Sequence, residues 1–303
     1  MDDLISHGGF LMKKISVLFC ATVFNYILAM DTFSVVSMNL EWFGLGGVSS
    51  GRTGDEYRIP WMKEFVNNYF ANADIIALQE VVDLSLIPQL VGAQYNCISY
   101  HHSHSKHQHV VLCLKSEFTI SMIDGESDFI FEDIQEHITK PLSVSESNLR
   151  PGIFLKASHP QLGEIQIMAV HLKAYADGVN QRMRQIGQIK NVTKNGRWLI
   201  VGDFNLQRSD SYNEITMAEE ILNTMNRLQG NYQFTYRSGQ YRSEFDHMFV
   251  SGQFLAGYHI ESIGPCNQPQ NMEKITGERF EDIRFYNRFV SDHCLIKASI
   301  QLF

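Results

Sequence analysis

Short apolar runs that each end in polar side chains are the feature that most restricts how this 303-residue chain can fold. The clearest run is Trp198–Val201, which stops at Gly202 and is followed by Asp203 and Asn205. A short run rich in Ile and Val predicts a buried strand, and such strands deliver polar residues to one edge of a sheet. Side chains two positions apart on an extended chain share a face, so we expect Asp203 and Asn205 to point the same way. A plain turn is the alternative, because Asp and Asn favour turns.

Other strand-like runs end in polar groups of the same kind. Oxygen ligands suit Mg²⁺, Mn²⁺ or Ca²⁺, and histidines with a spare carboxylate supply general acid–base capacity. An aspartate that contacts a histidine can also fix its tautomer. Together these are the parts needed for metal-assisted cleavage of a phosphate ester. The polar residues at the run ends are Asn39, Glu80, His171, Asp246 with His247, and Asp292 with His293.

Helical periodicity alternates with these runs along the chain. Arg58–Phe70, Asn180–Val192 and Ile215–Leu228 carry apolar residues at helical spacing, whereas Gly264–Asn287 reads as a long irregular segment. No repeat and no Pro/Gly/Ser-rich linker divides the sequence. The mixture of strands and helices predicts a single α/β domain over residues 30–303, built on two packed, mostly mixed sheets.

The first 29 residues have the pattern of a secretory signal peptide. Lys13 and Lys14 precede an apolar run that ends at the small residue Ala29, and this run is short for a membrane span. A buried N-terminal helix is the alternative. Met12 is the expected initiator, because Met1–Leu11 adds acidic residues ahead of the basic pair. We therefore expect a secreted or periplasmic protein without stable membrane association.

Charge and cysteine content narrow the class of protein. The net charge of −8 argues against tight nonspecific binding to polyanions, but it does not exclude an enzyme that meets phosphates through a divalent cation. Export permits disulfides, and the four cysteines beyond the signal allow three pairings. Packed thiols are the alternative for two of them, Cys113 and Cys294; the other two are Cys97 and Cys266.

Six motifs in chain order resemble the endonuclease/exonuclease/phosphatase superfamily. The resemblance extends from about residue 33 to the C-terminus. It implies a four-layer α/β sandwich of two packed mixed sheets flanked by helices, as in pancreatic-type deoxyribonucleases, with the active site at one end of the sheets. It also implies Mg²⁺ (or Mn²⁺ or Ca²⁺) as cofactor, and we expect a monomer that acts on nucleic acid. The motifs are Met38–Gly44, Ala77–Val81, Ala169–Lys173, Ile200–Leu206, Phe245–Ser251 and Ser291–His293.

The resemblance assigns metal and catalytic roles to individual residues. It makes Glu80 and Asp292 metal ligands, and Asn39 an amide that supports the metal or the phosphate. It implies that His171 contacts the phosphate and the leaving oxygen. The remaining catalytic residues are Asp203, which orients or deprotonates water, Asn205, which donates to the phosphoryl charge, and His293, which acts as base or phosphate contact and is held by Asp246.

Basic and aromatic residues near these motifs are the expected substrate contacts. The resemblance implies a phosphate-contacting arginine near Arg150, and Lys173 and Tyr175 follow His171 closely enough to line the substrate groove. Arg182 and Arg184 lie on a polar helix face, so we expect both to be solvated.

Four other features carry expectations of their own. Glu41 could share the face of Asn39 as an additional site carboxylate, whereas His247 should point away from Asp246 and be structural. Gln108 stands where pancreatic-type deoxyribonucleases carry a glutamate, which weakens the match to that subgroup. The histidine-rich loop His101–His109 is either a solvated tip or a transition-metal site.

The sequence as a whole predicts a secreted, divalent-metal-dependent phosphodiesterase, most simply a nuclease that acts on DNA or RNA. Two alternatives remain open. One is the same chemistry on sphingomyelin or a phosphoinositide, and the other is a noncatalytic, His-rich metal-binding or adhesion protein. The identity of the general base is also left open.

Overall fold

The computed structural model describes residues 31–46, 53–99, 108–121, 152–208, 212–268 and 279–303. The predicted signal sequence, Arg150 and residues 101–107 of the histidine-rich loop lie outside this described part of the chain. The strands within it are β1 (Asp31–Phe43), β2 (Ile75–Val81), β3 (Tyr95–Ser99), β4 (His109–Lys115), β5 (Thr119–Ser121), β6 (Ile153–His159), β7 (Gly163–His171), β8 (Trp198–Asp203), β9 (Met225–Arg227), β10 (Tyr236–Ser238), β11 (Tyr241–Ser243), β12 (Asp246–Ser251), β13 (Leu255–Ile263) and β14 (Leu295–Leu302).

These strands form two six-stranded sheets and a separate two-stranded hairpin, β10-β11. The first sheet has the order β13-β14-β1-β2-β4-β3, in which β1 and β2 are parallel and the other neighbours are antiparallel. The second has the order β5-β6-β7-β8-β12-β9, in which β7 and β8 are parallel. Each sheet is therefore mixed, as the sequence predicts.

Five α-helices in the described residues cover the outer faces of the sheets. They are α1 (Asp55–Tyr69), α2 (Ile87–Val91), α3 (Val179–Val192), α4 (Glu214–Ile221) and α5 (Ile283–Phe289). Residues of α1, α2 and α5 pack on the first sheet, and residues of α3 and α4 pack on the second. No helix in the described ranges is long and apolar enough to cross a membrane.

Alternation along the strands divides the apolar side chains between two faces. On β1, Val35 lies in the core between the sheets, and its neighbour Val36 lies in the core beneath the helices. On β8, Val201 faces the other sheet, whereas Ile200 contacts the α3 and α4 layer. Because both faces of both sheets are covered, the predicted four-layer sandwich is confirmed.

Two predicted elements differ from the structure, and one strand was missed. The helix expected over Ile215–Leu228 ends at Ile221, because Met225–Arg227 pairs with β12 as an edge strand. The segment Gly264–Asn287, expected to be irregular, contains the start of α5. Strand β13 was not predicted; it pairs with β14 at the edge of the first sheet.

All four cysteines of the described residues are in disulfides. Cys97 pairs with Cys113 across β3 and β4, and Cys266 pairs with Cys294 immediately before β14. The alternative of packed thiols at Cys113 and Cys294 is therefore wrong. The second bridge ties the residue after His293 to the turn at Pro265–Asn267.

Candidate active site

Strand register in the second sheet places three of the predicted site residues side by side. His171 on β7 is opposite Asp203 on β8, and Asp203 is opposite Asp246 on β12. Gly202 makes this close approach possible: its φ is 144°, and a Cβ there would overlap the carbonyl of Val170. The glycine at the end of the apolar run thus has a direct role in bringing the strand ends together.

The first sheet contributes Asn39 and Glu80 to the same edge. Nδ2 of Asn39 donates to Oε1 of Glu80 at 3.2 Å and to Oδ2 of Asp203 at 3.0 Å, so one amide links carboxylates from both sheets. The other oxygen of Glu80 accepts a hydrogen bond from Nε2 of Gln108 at 2.6 Å. Gln108 was identified only as a departure from a subgroup, and the structure shows that it holds Glu80.

Both predicted histidines point at the carboxylate of Asp203. Nε2 of His171 lies 3.4 Å from Oδ2 of Asp203 and 3.8 Å from Oε1 of Glu80. Nε2 of His293 lies 3.8 Å from the same Asp203 oxygen, and its Nδ1 is 2.8 Å from Oδ2 of Asp246. Together with the amide of Asn39, side chains from three separate parts of the chain therefore lie within 3.8 Å of Oδ2 of Asp203.

Burial and mutual charge control the ionisation of this group. Burial raises the pKa of Asp203 to about 7, and the nearby charge of Asp246 acts in the same direction. His293 and the hydrogen bond from Asn39 oppose that increase. Burial by itself would lower the pKa of His293, but the charges of Asp246 and Asp203 outweigh it and raise that pKa well above 6.5. The arrangement thus favours an imidazolium at His293 between two carboxyl groups.

Glu41 and Asp292 extend the site on the first sheet. The backbone N–H of Asp292 donates to Oε2 of Glu41 at 3.2 Å, and the N–H of Glu41 donates to Oδ1 of Asn39 at 2.9 Å. Ser291 donates its hydroxyl to the carbonyl of Asn39 at 2.7 Å and accepts from the N–H of His293. Glu41 thus contacts both Asn39 and Asp292, and its role as an additional site carboxylate stays a prediction. Sequence reasoning missed Ser291, although it belongs to the motif that contains His293.

Backbone strain is concentrated at this edge. Among the described residues other than glycine, a positive φ occurs at only six positions. Three of them lie among these contacts: Glu41 at 50°, Glu80 at 58° and Asn205 at 52°. Such conformations are costly and persist where the surrounding structure fixes them, often at functional sites.

The turn alternative for Asn205 is correct, and the extended arrangement with Asp203 is wrong. The strand ends at Asp203, and Oδ1 of Asp203 accepts from the backbone N–H of Asn205 at 2.9 Å. Nδ2 of Asn205 donates to the carbonyl of Leu172 at 3.2 Å. Asn205 therefore reaches the His171 strand end through a tight turn and not along a strand.

The expectation for His247 is confirmed, whereas the expectation for Arg182 is wrong. His247 is buried on the far side of β12, with its ring edge-on to Phe204, as expected for a structural residue. Arg184 is exposed, but the prediction of a solvated Arg182 is wrong. The Arg182 side chain is fully buried in an ion pair with Glu214, which a helix pattern alone could not reveal because the partner lies 32 residues away.

The expected substrate contacts at the end of β7 differ in exposure. Lys173 is only 3% exposed, whereas Tyr175 is 64% exposed and lies with its ring centroid 5.7 Å from the lysine Nζ. Both follow His171 within four residues. Tyr175 thus presents an aromatic surface beside the site.

The donor groups fit a hard divalent cation. Glu80 and Asp292 are carboxylates that are only partly buried, and two amide side chains, Asn39 and Gln108, orient Glu80. A second set, Asp203, Asp246 and His293, also has ligand atoms within 4.8 Å of one another. These three are buried, and the short hydrogen bond between Asp246 and His293 suits acid–base work better than metal ligation.

Solved structures with a similar fold come from several organisms. TDP2 from Caenorhabditis elegans has 18% sequence identity and a TM-score of 0.59, with 89% of this chain and 97% of that chain covered. Danio rerio TDP2 in complex with a single-strand DNA product has 17% identity and a TM-score of 0.60, with 89% and 99% covered. A mannosyl-6-phosphatase from Bacteroides thetaiotaomicron has 16% identity and a TM-score of 0.58, with 88% and 99% covered.

At these identities, the structural neighbours establish the fold alone. No curated protein sequence matches the chain. The sequence model that describes the Endonuclease/Exonuclease/phosphatase family matches residues 59–293, which include Glu80, His171, Asp203 and Asp246 and end at His293. This chain therefore belongs to the Endonuclease/Exonuclease/phosphatase family, whose members hydrolyse phosphoesters.

Proposed function

We propose that the protein is a divalent-metal-dependent phosphodiesterase that cleaves nucleic acid. The observation that carries this proposal is the convergence of His171 and His293 on Oδ2 of Asp203, at 3.4 and 3.8 Å. Two nitrogen donors and a carboxylate at this separation can contact the oxygens and the attacking water of a single phosphate group. Positioning and charge stabilisation of this kind are the main requirements of phosphoryl transfer.

The metal proposed for this site is Mg²⁺. When bound, it would neutralise phosphoryl charge and act as a Lewis acid. Glu80 and Asp292 would hold it, and Asn39 and Gln108 would fix the orientation of Glu80 through their hydrogen bonds. Mg²⁺ typically binds through one or two protein carboxylates together with water and phosphate, which matches this set.

Asp203 is the proposed acceptor of the proton from the attacking water. Its pKa of about 7, raised mainly by burial, suits a base that works near neutral pH. Oδ1 is held by the N–H of Asn205, whereas Oδ2 is directed toward the two histidines. Asp246 holds Nδ1 of His293, so that Nε2 of His293 can donate to a phosphoryl oxygen. His171 is the proposed donor to the phosphate and to the leaving oxygen.

A nucleic-acid substrate is proposed on two grounds. A structural neighbour is described as a complex with a single-strand DNA product, and an exposed tyrosine, Tyr175, follows the end of β7 beside the site. Exposed aromatic rings are the groups on which bases of single strands stack.

Secretion is proposed as well. It is supported by the basic and apolar pattern of residues 13–29 and by the two disulfides, since disulfides persist in oxidising compartments. N-terminal sequencing of exported protein should find a start near residue 30. A start at Met1 or Met12 would contradict this part of the proposal.

A substrate panel tests the proposed function. Purified protein with Mg²⁺ is incubated separately with single- and double-stranded DNA, RNA, sphingomyelin, an inositol polyphosphate and a sugar phosphate, and Glu80→Gln serves as the inactive control. We expect cleavage of nucleic acid by the native protein, loss of that cleavage on chelation and at least a hundredfold loss in Glu80→Gln. Activity restricted to the lipid, inositol or sugar phosphates would overturn the nuclease assignment.

A further inference from the structure

Arg182 uses its whole guanidinium to join three parts of the chain. Nε and Nη2 donate to the two carboxylate oxygens of Glu214, at 2.6 and 2.8 Å. Nη1 donates to the backbone carbonyls of Lys173 at 2.8 Å and Tyr175 at 2.6 Å. Both charged side chains are completely buried, and neither carbonyl belongs to a helix or sheet. A lysine could not reproduce this planar fork.

The segment that Arg182 holds begins two residues after His171. Its first residue is also held by a second side chain of the same helix, because the N–H of Lys173 donates to Oε1 of Gln185 at 3.0 Å. Tyr175 has a φ of 73°, a conformation that residues other than glycine rarely adopt. The hydrogen bond from Arg182 to the Tyr175 carbonyl therefore stabilises a strained residue next to the phosphate site.

The strained backbone presents the ring of Tyr175 to solvent. The Lys173 ammonium lies 5.7 Å from the ring centroid, and 64% of the tyrosine is exposed. A large aromatic side chain that is open to solvent but supported by a buried ion pair is not needed for the core. Its position a few residues from His171 suits contact with whatever group adjoins the bound phosphate.

We propose that Arg182 and Glu214 are positioning residues that hold Tyr175 as a stacking platform for an unpaired nucleobase adjoining the scissile phosphate. Every base presents a planar face, so an aromatic platform gives affinity without strict sequence preference. The ion pair acts only through the backbone of Lys173–Tyr175 and does not touch the substrate. This inference rests on the proposed nucleic-acid substrate.

Binding without turnover tests the platform. The affinity of the protein for a fluorescent single-stranded oligonucleotide is measured in chelator by fluorescence anisotropy. Tyr175→Ala should weaken binding about tenfold, whereas Tyr175→Phe should retain native affinity. The control is Tyr57→Ala, which removes a similarly exposed tyrosine (60%) on α1 and should bind normally. With an oligomer that lacks bases throughout, Tyr175→Ala and the native protein should bind equally.

The positioning role is tested with Arg182→Lys and the near-isosteric Glu214→Gln. Each should weaken oligonucleotide binding as Tyr175→Ala does, and combining either with Tyr175→Ala should add little further loss. Arg184→Lys is the matched control on the exposed side of the same helix. Thermal melting identifies any variant that fails to fold, in which case the Tyr175 variants alone decide the platform.

Three outcomes would overturn the inference. The first is native affinity in Tyr175→Ala, and the second is an equal loss on the oligomer without bases. The third is a native protein that binds no oligonucleotide. Hydrolysis of a simple phosphodiester with Mg²⁺, measured separately, shows whether the phosphodiesterase activity fails as well, so the two failures are distinguishable.

Discussion

Nε2 of His171 lies 3.4 Å from Oδ2 of Asp203, although the two residues end different strands of the second sheet. The parallel pairing of β7 and β8 puts them at the same level. The contact is therefore set by strand register. If one strand shifted by one residue, its side chains would move to the other face of the sheet, and His171 and Asp203 would no longer share a face. The fold itself therefore positions the proposed base, Asp203, beside His171, the side chain proposed to donate a hydrogen bond to the phosphate.

Replacing Asp203 by Asn should lower turnover of a phosphodiester at least about a hundredfold, because the variant keeps the shape of the side chain but cannot accept the proton of water. Steady-state kinetics at saturating Mg²⁺ provide the measurement. Asp74→Asn is the matched control, since the Asp74 carboxylate bonds Ser34 and Lys115 at the opposite end of the first sheet. Turnover close to native in Asp203→Asn would exclude Asp203 as the base.

Replacing Asp246 by Asn should also reduce turnover by at least a hundredfold. The carboxylate accepts from Nδ1 of His293 at 2.8 Å and stabilises the imidazolium form. Without that charge, burial is opposed only by the charges of Asp203 and Asp292, so the pKa of His293 should fall from its raised value. NMR titration of the histidine in metal-free protein measures this change. Asp282→Asn at the N-cap of α5 is the control, and an unchanged His293 pKa in Asp246→Asn would contradict the assignment.

The strand ends and the family motifs were predictable because they depend on local sequence. The apolar run Trp198–Val201 lies in a strand that ends at Asp203, as expected, since buried strands are visible as short apolar segments. The convergence of the strand ends on Asp203 is tertiary, and only the order of the motifs indicated it. The turn at Asn205 shows the limit of what local sequence can predict. Both a turn and an extended strand suit the local sequence, whereas the observed turn lets Asn205 bond the carbonyl of Leu172, which is distant in sequence.

The errors share one physical cause, which is a partner distant in sequence. Arg182 lies on a polar helix face, but Glu214 and two carbonyls bury it. Met225–Arg227 continues an apolar helical pattern, but pairing with β12 makes it a strand. Gln108 gives no sign of its hydrogen bond to Glu80, which depends on how β2 and β4 are placed. Local patterns do not contain this information.

Gln108→Leu should raise the Mg²⁺ concentration needed for half-maximal activity by about 10- to 100-fold, with a smaller effect on turnover at saturating metal. Gln108 is buried and holds one oxygen of Glu80, and groups that orient a metal ligand contribute affinity of this size. Metal titration of activity is the measurement. Gln79→Leu is the control, because the Gln79 amide donates to Ser37. An unchanged metal requirement in Gln108→Leu would show that Glu80 does not depend on it.

His247 should make folding sensitive to acid. Burial, followed by the charge of Arg227, lowers the pKa of His247 well below 6.5. Below pH 6.5 the unfolded chain therefore binds a proton that the folded chain does not, and the free energy of unfolding falls by up to about 1.4 kcal/mol per pH unit. In urea unfolding, His247→Leu should lose less stability between pH 7.5 and 5.5 than the native protein. His259→Leu, at an exposed position on β13, should lose as much as the native protein. Equal losses in all three proteins would contradict a neutral, buried His247.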